Sequence, residues 1–475
     1  MSEKEGKEVK DISSASSGSG HDDKKNFDIA AGRSEIPIVI GRPASDVKKF
    51  GTKGAVLLGM NYEEQEDNLV AGQKMYLDMS SSHVLFICGK RGGGKSYTMG
   101  VVAEGFELLE PEIRKNLSII MLDTMGVYWT MGHPNKKEKE LLEPYNIVPH
   151  GIKVRIFTPK KFYYEYKDKG IPTDDPFTLD PSELTGDDWC MAFKQGKYDR
   201  CGVLIQKTVA ELNEEREKTK KKYDLDRIIE KVHGDTEADQ ITRDAVINMF
   251  KMAKGWGLFD SESTPLSELA KGGQLSLLDV SCYATMQGGW DVKALVVGLV
   301  SQHLFVQRMQ ARKGEEFGNI EYLEDFFANT KEETQNQDMP LVWLVIDEAH
   351  EFLPKEKDDW NAATQPLVII MREGRQPGIS LILATQQPGK IHTDVMTQSD
   401  IVLSHRITAR MDVDALGLLA QSYMQEGISR AMNTLPRVKG AAVIFDDSNE
   451  KIYRMRIRPR FTWHGGGSPS AIRNQ

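Results

Sequence analysis

Gly89-Lys90-Arg91-Gly92-Gly93-Gly94-Lys95-Ser96 fits the pattern G-x-x-x-x-G-K-[ST] without a gap. These residue types at this spacing suit one chemistry. Glycines let phosphate oxygens approach backbone N–H groups, and a helix that begins on the loop adds the positive end of its dipole. In such a loop Lys95 reaches the β- and γ-phosphates and Ser96 ligates Mg²⁺. The nucleotide-binding set expected from the pattern is Gly89, Arg91, Gly92, Gly93, Gly94, Lys95, Ser96 and Tyr97.

Binding a nucleotide is not hydrolysing it, and a second block supplies what hydrolysis needs. The run Leu341-Val342-Trp343-Leu344-Val345-Ile346 delivers Asp347 and Glu348 to its end. Asp347 is placed to hold the Mg²⁺ shell and Glu348 to polarise an attacking water as general base. The adjacent acid pair favours transfer to water over a small-molecule kinase. A further apolar run, Ile379–Ala384, ends in Thr385-Gln386-Gln387, and Gln386 is the candidate γ-phosphate sensor. Arginine given by a neighbouring subunit can stabilise charge in phosphoryl transfer. Arg375 is the leading candidate for that role, with Arg372 behind it and Arg406 as another.

The elements around these residues must hold them at one edge of a sheet. Val84–Cys88 is a short apolar strand before the loop, and Tyr97 to Leu109 has helical spacing after it. Strands are also expected at Ser118–Leu122, ending on Asp123, and at Lys153–Phe157, Leu275–Val280, Leu341–Ile346, Ile379–Ala384, Ile401–Leu403 and Ala441–Phe445. Apolar strands alternating with helices imply a mostly parallel sheet covered on both faces. The fold class is therefore α/β, a P-loop NTPase with a mostly parallel sheet, a helical insertion and a short N-terminal β unit.

The expected boundaries are a disordered polar tail at 1–34, a small β unit at 35–80 and core at 81–180. An all-helical insertion follows at 181–271, then core again at 272–460 and a C-terminal tail at 461–475. A long helix is expected over about 293–312, with a charged surface excursion at 315–338. The run Lys218-Thr219-Lys220-Lys221-Lys222 reads as a solvated helix end before it reads as a phosphate contact.

A length of 475 residues is too much for one compact core. Four scattered cysteines form no Cys-x-x-Cys pair, so neither zinc nor a disulfide framework is indicated, and Cys88 reads as a small core hydrophobe. No apolar run approaches the roughly 20 residues that span a bilayer, and the first residues lack a signal-peptide core, so a cytoplasmic location without a membrane partner is expected. A net charge of −9 argues against a surface coated for nucleic acid. It leaves open a ring in which a few basic side chains per subunit line a channel.

The P-loop, the block Ile346-Asp347-Glu348-Ala349-His350-Glu351-Phe352-Leu353-Pro354 and Ala384-Thr385-Gln386-Gln387-Pro388 resemble the HerA/FtsK family. So do Ser404-His405-Arg406-Ile407 and Arg458-Pro459-Arg460-Phe461-Thr462-Trp463-His464-Gly465, and the likeness is to the HerA branch. The resemblance implies a RecA-like core, in a homo-hexameric ring that moves double-stranded DNA through its centre with ATP and Mg²⁺. It implies a place in DNA end processing beside a NurA-like nuclease, or in phage defence with an effector. The family's lysine, metal-binding Asp, catalytic Glu, sensor Gln and trans-acting arginine then correspond to Lys95, Asp347, Glu348, Gln386 and Arg375. The pore contacts of such a motor would be Lys355, Lys357 and Lys390, for each of which plain surface solvation is the simpler reading. Two other readings share the motifs: a regulatory ring ATPase that controls an effector, and a secretion or conjugation motor. Two departures from the family stand out. The region before the P-loop is short for a full barrel, and Val127 stands where the family usually has an acid before the tyrosine.

Overall fold

The computed structural model describes residues 36–65, 68–328, 339–407 and 430–467, together with Asp412 and Leu416. The expected tail at 1–34 and residues 468–475 lie outside the described residues, as do residues 329–338 of the charged excursion.

Thirteen strands form one sheet. In chain order they are β1 (Ile38–Ile40), β2 (Ala55–Gln65), β3 (Asn68–Asp78), β4 (Val84–Cys88), β5 (Leu117–Asp123), β6 (Arg155–Pro159) and β7 (Asp175–Phe177). Then come β8 (Leu275–Asp279), β9 (Leu341–Ile346), β10 (Ile379–Thr385), β11 (Ile401–His405), β12 (Ala441–Asp446) and β13 (Lys451–Ile457). Their order across the sheet is β1-β3-β2-β13-β12-β11-β4-β10-β9-β5-β8-β6-β7. From β11 to β7 every pairing is parallel. From β11 back to β3 the pairings are antiparallel.

The short N-terminal β unit is thus an arm of the same sheet, joined through β13 on β2. Both faces of the parallel block are buried, which is why its strands read as unbroken apolar runs. Alternate residues serve opposite cores. Phe86, Ile120, Leu122, Val342 and Leu344 enter one. Leu85, Ile119, Met121, Trp343 and Val345 enter the other.

The first core is closed by the helical insertion and by the long helix Gly289–Ala328. That helix runs well beyond residue 312, into the stretch expected to be a surface excursion. Within the insertion, Arg200–Thr219, Leu225–His233 and Gln240–Gly255 pack around Trp189, whose ring lies 5.0 Å from Phe250. Asp224 and Asp239 cap the second and third of these helices with side-chain oxygens. Lys222, at the end of the basic run, pairs with buried Asp180 at 2.8 Å.

The second core is closed by the P-loop helix Lys95–Gly105 and by the chain end. Residues 458–462, which straddle the start of the expected tail, are packed instead. Arg458, Arg460, Phe461 and Thr462 are all fully buried. Glu104 holds them: its Oε1 accepts from Arg458 and from Phe461 N–H, and its Oε2 accepts from Thr462 N–H and Oγ1.

Candidate nucleotide site

The P-loop leaves β4 and enters the helix Lys95–Gly105. Two of its glycines are needed for their backbone. Gly92 has φ of 72° and Gly94 of 112°, where L side chains rarely go. A Cβ on Gly94 would also lie 3.1 Å from the His405 ring. The first bond within the helix runs from Thr98 N–H to Gly94 O, 2.8 Å. The N–H groups of Lys95, Ser96 and Tyr97 therefore have no helical acceptor, as an anion-binding helix start requires.

Lys95 is buried and its Nζ donates to Gly89 O at 3.1 Å and Lys90 O at 3.2 Å, across the mouth of the loop. Burial lowers its pKa, opposed by the negative charges of Glu348 and Asp347. Arg91 is exposed on the loop. The Tyr97 side chain turns away: its hydroxyl donates to Glu138 Oε2 at 2.7 Å and accepts from Arg460 N–H at 2.6 Å. Tyr97 offers a phosphate only its backbone N–H.

β10 lies between β4 and β9, so the tips of all three meet at one edge. Ser96 Oγ donates to Asp347 Oδ2 at 2.7 Å. The Tyr128 hydroxyl donates to the same oxygen at 3.3 Å, and Asp347 Oδ1 accepts the Glu348 N–H at 2.9 Å. A hydroxyl and a carboxylate are hard oxygen donors, and Mg²⁺ takes one or two such protein ligands and keeps other positions for water and phosphate. Ser96 and Asp347 fit it. Among the described residues there is no cluster of three or more His, Cys, Asp or Glu that could hold a metal by protein ligands alone.

Glu348 sits in the left-handed region, φ 52° and ψ 43°, uncommon for a non-glycine and a form of strain found at working sites. Burial raises its pKa, Asp347 adds to the rise, and Lys95 opposes it. Its Oε1 accepts from Gln386 Nε2 at 3.3 Å. Lys95, Ser96, Asp347, Glu348 and Gln386 thus come together within one chain.

The arginines divide. Arg375 follows the helix Thr364–Glu373 and precedes β10, so it lies exposed at the N-terminal edge of the parallel strands, opposite the P-loop. It does not reach the site of its own chain. Arg372 is held by Asp394 at 2.5 Å. Arg406 directly follows β11, on the edge that carries the loop.

Sequence reasoning missed several supports. His405 is fully buried under the loop, and burial pushes its pKa down to about 4. Its Nδ1 faces Ala441 O at 3.3 Å, and a carbonyl can only accept, so Nε2 takes the Thr98 hydroxyl at 2.8 Å. Asp123, at the tip of β5, accepts the N–H groups of Met125, Gly126 and Tyr128 and so folds the loop that brings Tyr128 to Asp347. Asp279 is its partner in register on β8, and burial with this second acid pushes Asp123 up to about 7. An Asp closing each of two neighbouring strands was the available signal. Val127 leaves the position before Tyr128 without a carboxylate.

The sheet order, the loop and the acid pair define a RecA-like P-loop NTPase. The chain belongs to the HerA helicase family: the family model "Helicase HerA, central domain" matches residues 65–383, more than half of the chain. The protein of Methanocaldococcus jannaschii named "Probable DNA double-strand break repair helicase HerA" is 24% identical over 367 residues, which cover 71% of this chain and 65% of that protein. The "DNA double-strand break repair helicase HerA" of Pyrococcus furiosus is 27% identical over 150 residues, 30% of this chain and 26% of its own length. Among solved structures, VirB4 of Thermoanaerobacter pseudethanolicus is similar at 12% identity and a TM-score of 0.49, over 86% of this chain and 97% of that one. No described helix is long and apolar enough to cross a membrane.

Proposed function

We propose that the chain is an ATPase that works as a homo-hexameric ring and moves double-stranded DNA. The observation that carries the ATPase reading is the Ser96–Asp347 contact at 2.7 Å, with Glu348 and Gln386 paired beside it at a helix start. The residues divide the work. Backbone N–H groups of the loop and Lys95 bind and orient the phosphates. Glu348, with its pKa raised, takes a proton from the attacking water. Gln386 holds the base and senses the γ-phosphate. Ser96 and Asp347 would hold Mg²⁺, which when bound would supply positive charge to the phosphates.

Arg375 stands too far round the sheet to serve its own site, which suits a finger given to a neighbour and calls for a ring. Lys355 and Lys390 support the DNA reading. They are exposed on adjacent segments, tied by the Lys355 N–H to Lys390 O bond of 3.0 Å and the Pro354–Ile391 bridge. Lys357 lies two residues on in the same exposed segment. The relatives are named for DNA double-strand break repair, which points the motor toward DNA ends; a nuclease or a defence effector as its companion rests on the family resemblance alone.

The test is ATPase activity with and without duplex DNA at rising salt, on protein sized with an ATP analogue. Duplex stimulation that falls steeply with salt is expected if phosphates are gripped. A monomer with no response to duplex at low salt overturns the motor. An intact ring with no duplex response leaves the regulatory ATPase in its place.

A further inference from the structure

His350 is nearly buried and stands two residues beyond Glu348. Four groups surround its ring. Nδ1 lies 3.1 Å from Thr385 Oγ1 and 3.6 Å from Glu348 Oε2. Nε2 lies 3.1 Å from Gln387 Nε2 and 3.3 Å from Glu351 Oε1. Thr385 is itself fixed, fully buried, with its Oγ1 accepting the Gln387 N–H at 3.0 Å. The ring therefore bridges the tip of β10 to the carboxylate that follows β9.

Glu348 needs such a bridge. Its backbone is left-handed, and among the described residues only Oε1 of its two oxygens has a hydrogen-bond donor, Gln386. Oε2 is buried without a hydrogen-bond partner among the described residues, and the His350 Nδ1 edge faces it. Burial lowers the pKa of His350, so a neutral ring has one N–H to place. With that proton on Nδ1, the ring donates to Thr385 and turns its positive edge toward Glu348 Oε2. Nε2 is then an acceptor for the Gln387 amide. With the proton on Nε2, the ring would serve Glu351, an exposed carboxylate, and would meet the Gln387 amide hydrogen head-on.

We infer that His350 is a positioning residue for hydrolysis: its Nδ1 edge ties the sensor strand, through Thr385, to the Oε2 side of Glu348 and holds that carboxylate at its working angle. Gln386 and His350 then clamp the base from both sides: Gln386 follows β10 directly, and the His350 ring is bonded to its tip through Thr385. Movement of that tip as phosphate is bound or lost reaches the base through two contacts. The inference rests on Glu348 being the base.

Two substitutions separate the two edges of the ring. His350→Asn places its amide near the position of Nδ1, and His350→Gln places its amide near that of Nε2. His350→Ala is expected to lower kcat by about 10- to 100-fold with KM for ATP little changed, as for a misplaced reacting group. His350→Asn recovers most of that loss and His350→Gln does not. Binding of a fluorescent ATP analogue, measured on each variant, shows that the site is folded. A role in packing alone predicts the reverse order, because Gln fills the space better, and that order overturns the inference. So does a wild-type kcat in His350→Ala. Glu348→Gln is assayed beside them: if it hydrolyses ATP at the wild-type rate the base assignment falls, and His350 with it. If it is inactive while His350→Ala is not, only the inference about His350 falls.

Discussion

Asp347 Oδ2 accepts two hydroxyls, Ser96 at 2.7 Å and Tyr128 at 3.3 Å, and they differ in what a bound metal asks of them. With Mg²⁺ bound, Ser96 would turn its oxygen to the ion, while Tyr128 would keep holding the carboxylate. Tyr128→Phe removes that hold and leaves the ring in place. Outer contacts of this kind are worth about 10-fold or more in metal affinity, so the Mg²⁺ concentration for half-maximal ATPase is expected to rise by about that factor. A titration of rate against Mg²⁺ checks it, and an unchanged midpoint removes Tyr128 from the site. Lys95→Ala acts earlier. The ammonium that spans the loop mouth is lost, and analogue binding is expected to fall below detection at concentrations that saturate the parent. Gly94→Ala meets two obstacles, a φ of 112° and the His405 ring at 3.1 Å. Strain of that type costs about 1–3 kcal/mol. It is expected to appear as a lower melting temperature together with lost nucleotide binding.

Among the elements, the P-loop helix depends on the chain end more than on its own sequence. It has no single apolar stripe, because every residue from Thr98 to Gly105 is buried. Glu104, Arg458 and Arg460 are all fully buried in its contact with residues 458–465. Glu104→Gln leaves arginine charge without its carboxylate, and breaking a buried pair from one side costs about 3–5 kcal/mol. A marked fall in the denaturation midpoint is expected, and a change within error would mean that water reaches the arginines. This junction was hidden in the sequence for a physical reason. Two arginines around Pro459 near the chain end look solvated, and what buries them is one carboxylate far away in the chain. The strands that carry the site were legible, because a parallel sheet buried on both faces leaves runs such as Leu341–Ile346 with a polar residue at the tip. β13 was not: in Lys451-Ile452-Tyr453-Arg454-Met455-Arg456-Ile457 three charged residues break up the apolar ones without regular alternation, and its first four residues are exposed or half-buried. β7 is a three-residue edge strand with Pro176 at its centre, which a run of apolar residues cannot announce. Glu348 and Gln386 were legible by position, yet their pairing and the His350 ring beside them arise only when β9 and β10 lie side by side.

Across the whole molecule, the N-terminal arm is locked to the nucleotide-binding core by a charge cluster on the edge opposite the P-loop. His83, just before β4, has Asp400 Oδ2 at 2.6 Å from Nδ1 and Asp78 Oδ2 at 3.6 Å from Nε2. Asp400 Oδ1 also accepts the Val84 N–H at 2.8 Å, and Arg42 pairs with Asp78 at 2.5 Å. β3, β4 and the start of β11 therefore share one ionic knot. Burial opposes the charge on His83, but the two carboxylates outweigh it and raise its pKa to about 9. The unfolded chain returns the ring to about 6.5. A group whose pKa is raised on folding binds its proton more tightly in the native state, so it stabilises fully below about pH 6.5 and loses that contribution as pH climbs through 9. Asp78 has the opposite sign: the nearby His83 ring and hydrogen bonds from Ser80 and Arg42 overcome burial and hold its pKa well below the usual range, so its contribution is lost only in strong acid. Between these limits the arm should stay docked. The expected result is a melting temperature that falls from pH 7 to pH 10 in the parent, with a smaller fall in His83→Gln, which starts lower and has no proton to lose. Parallel curves for the two proteins would show that alkaline unfolding is set elsewhere and that His83 is uncharged in the folded chain.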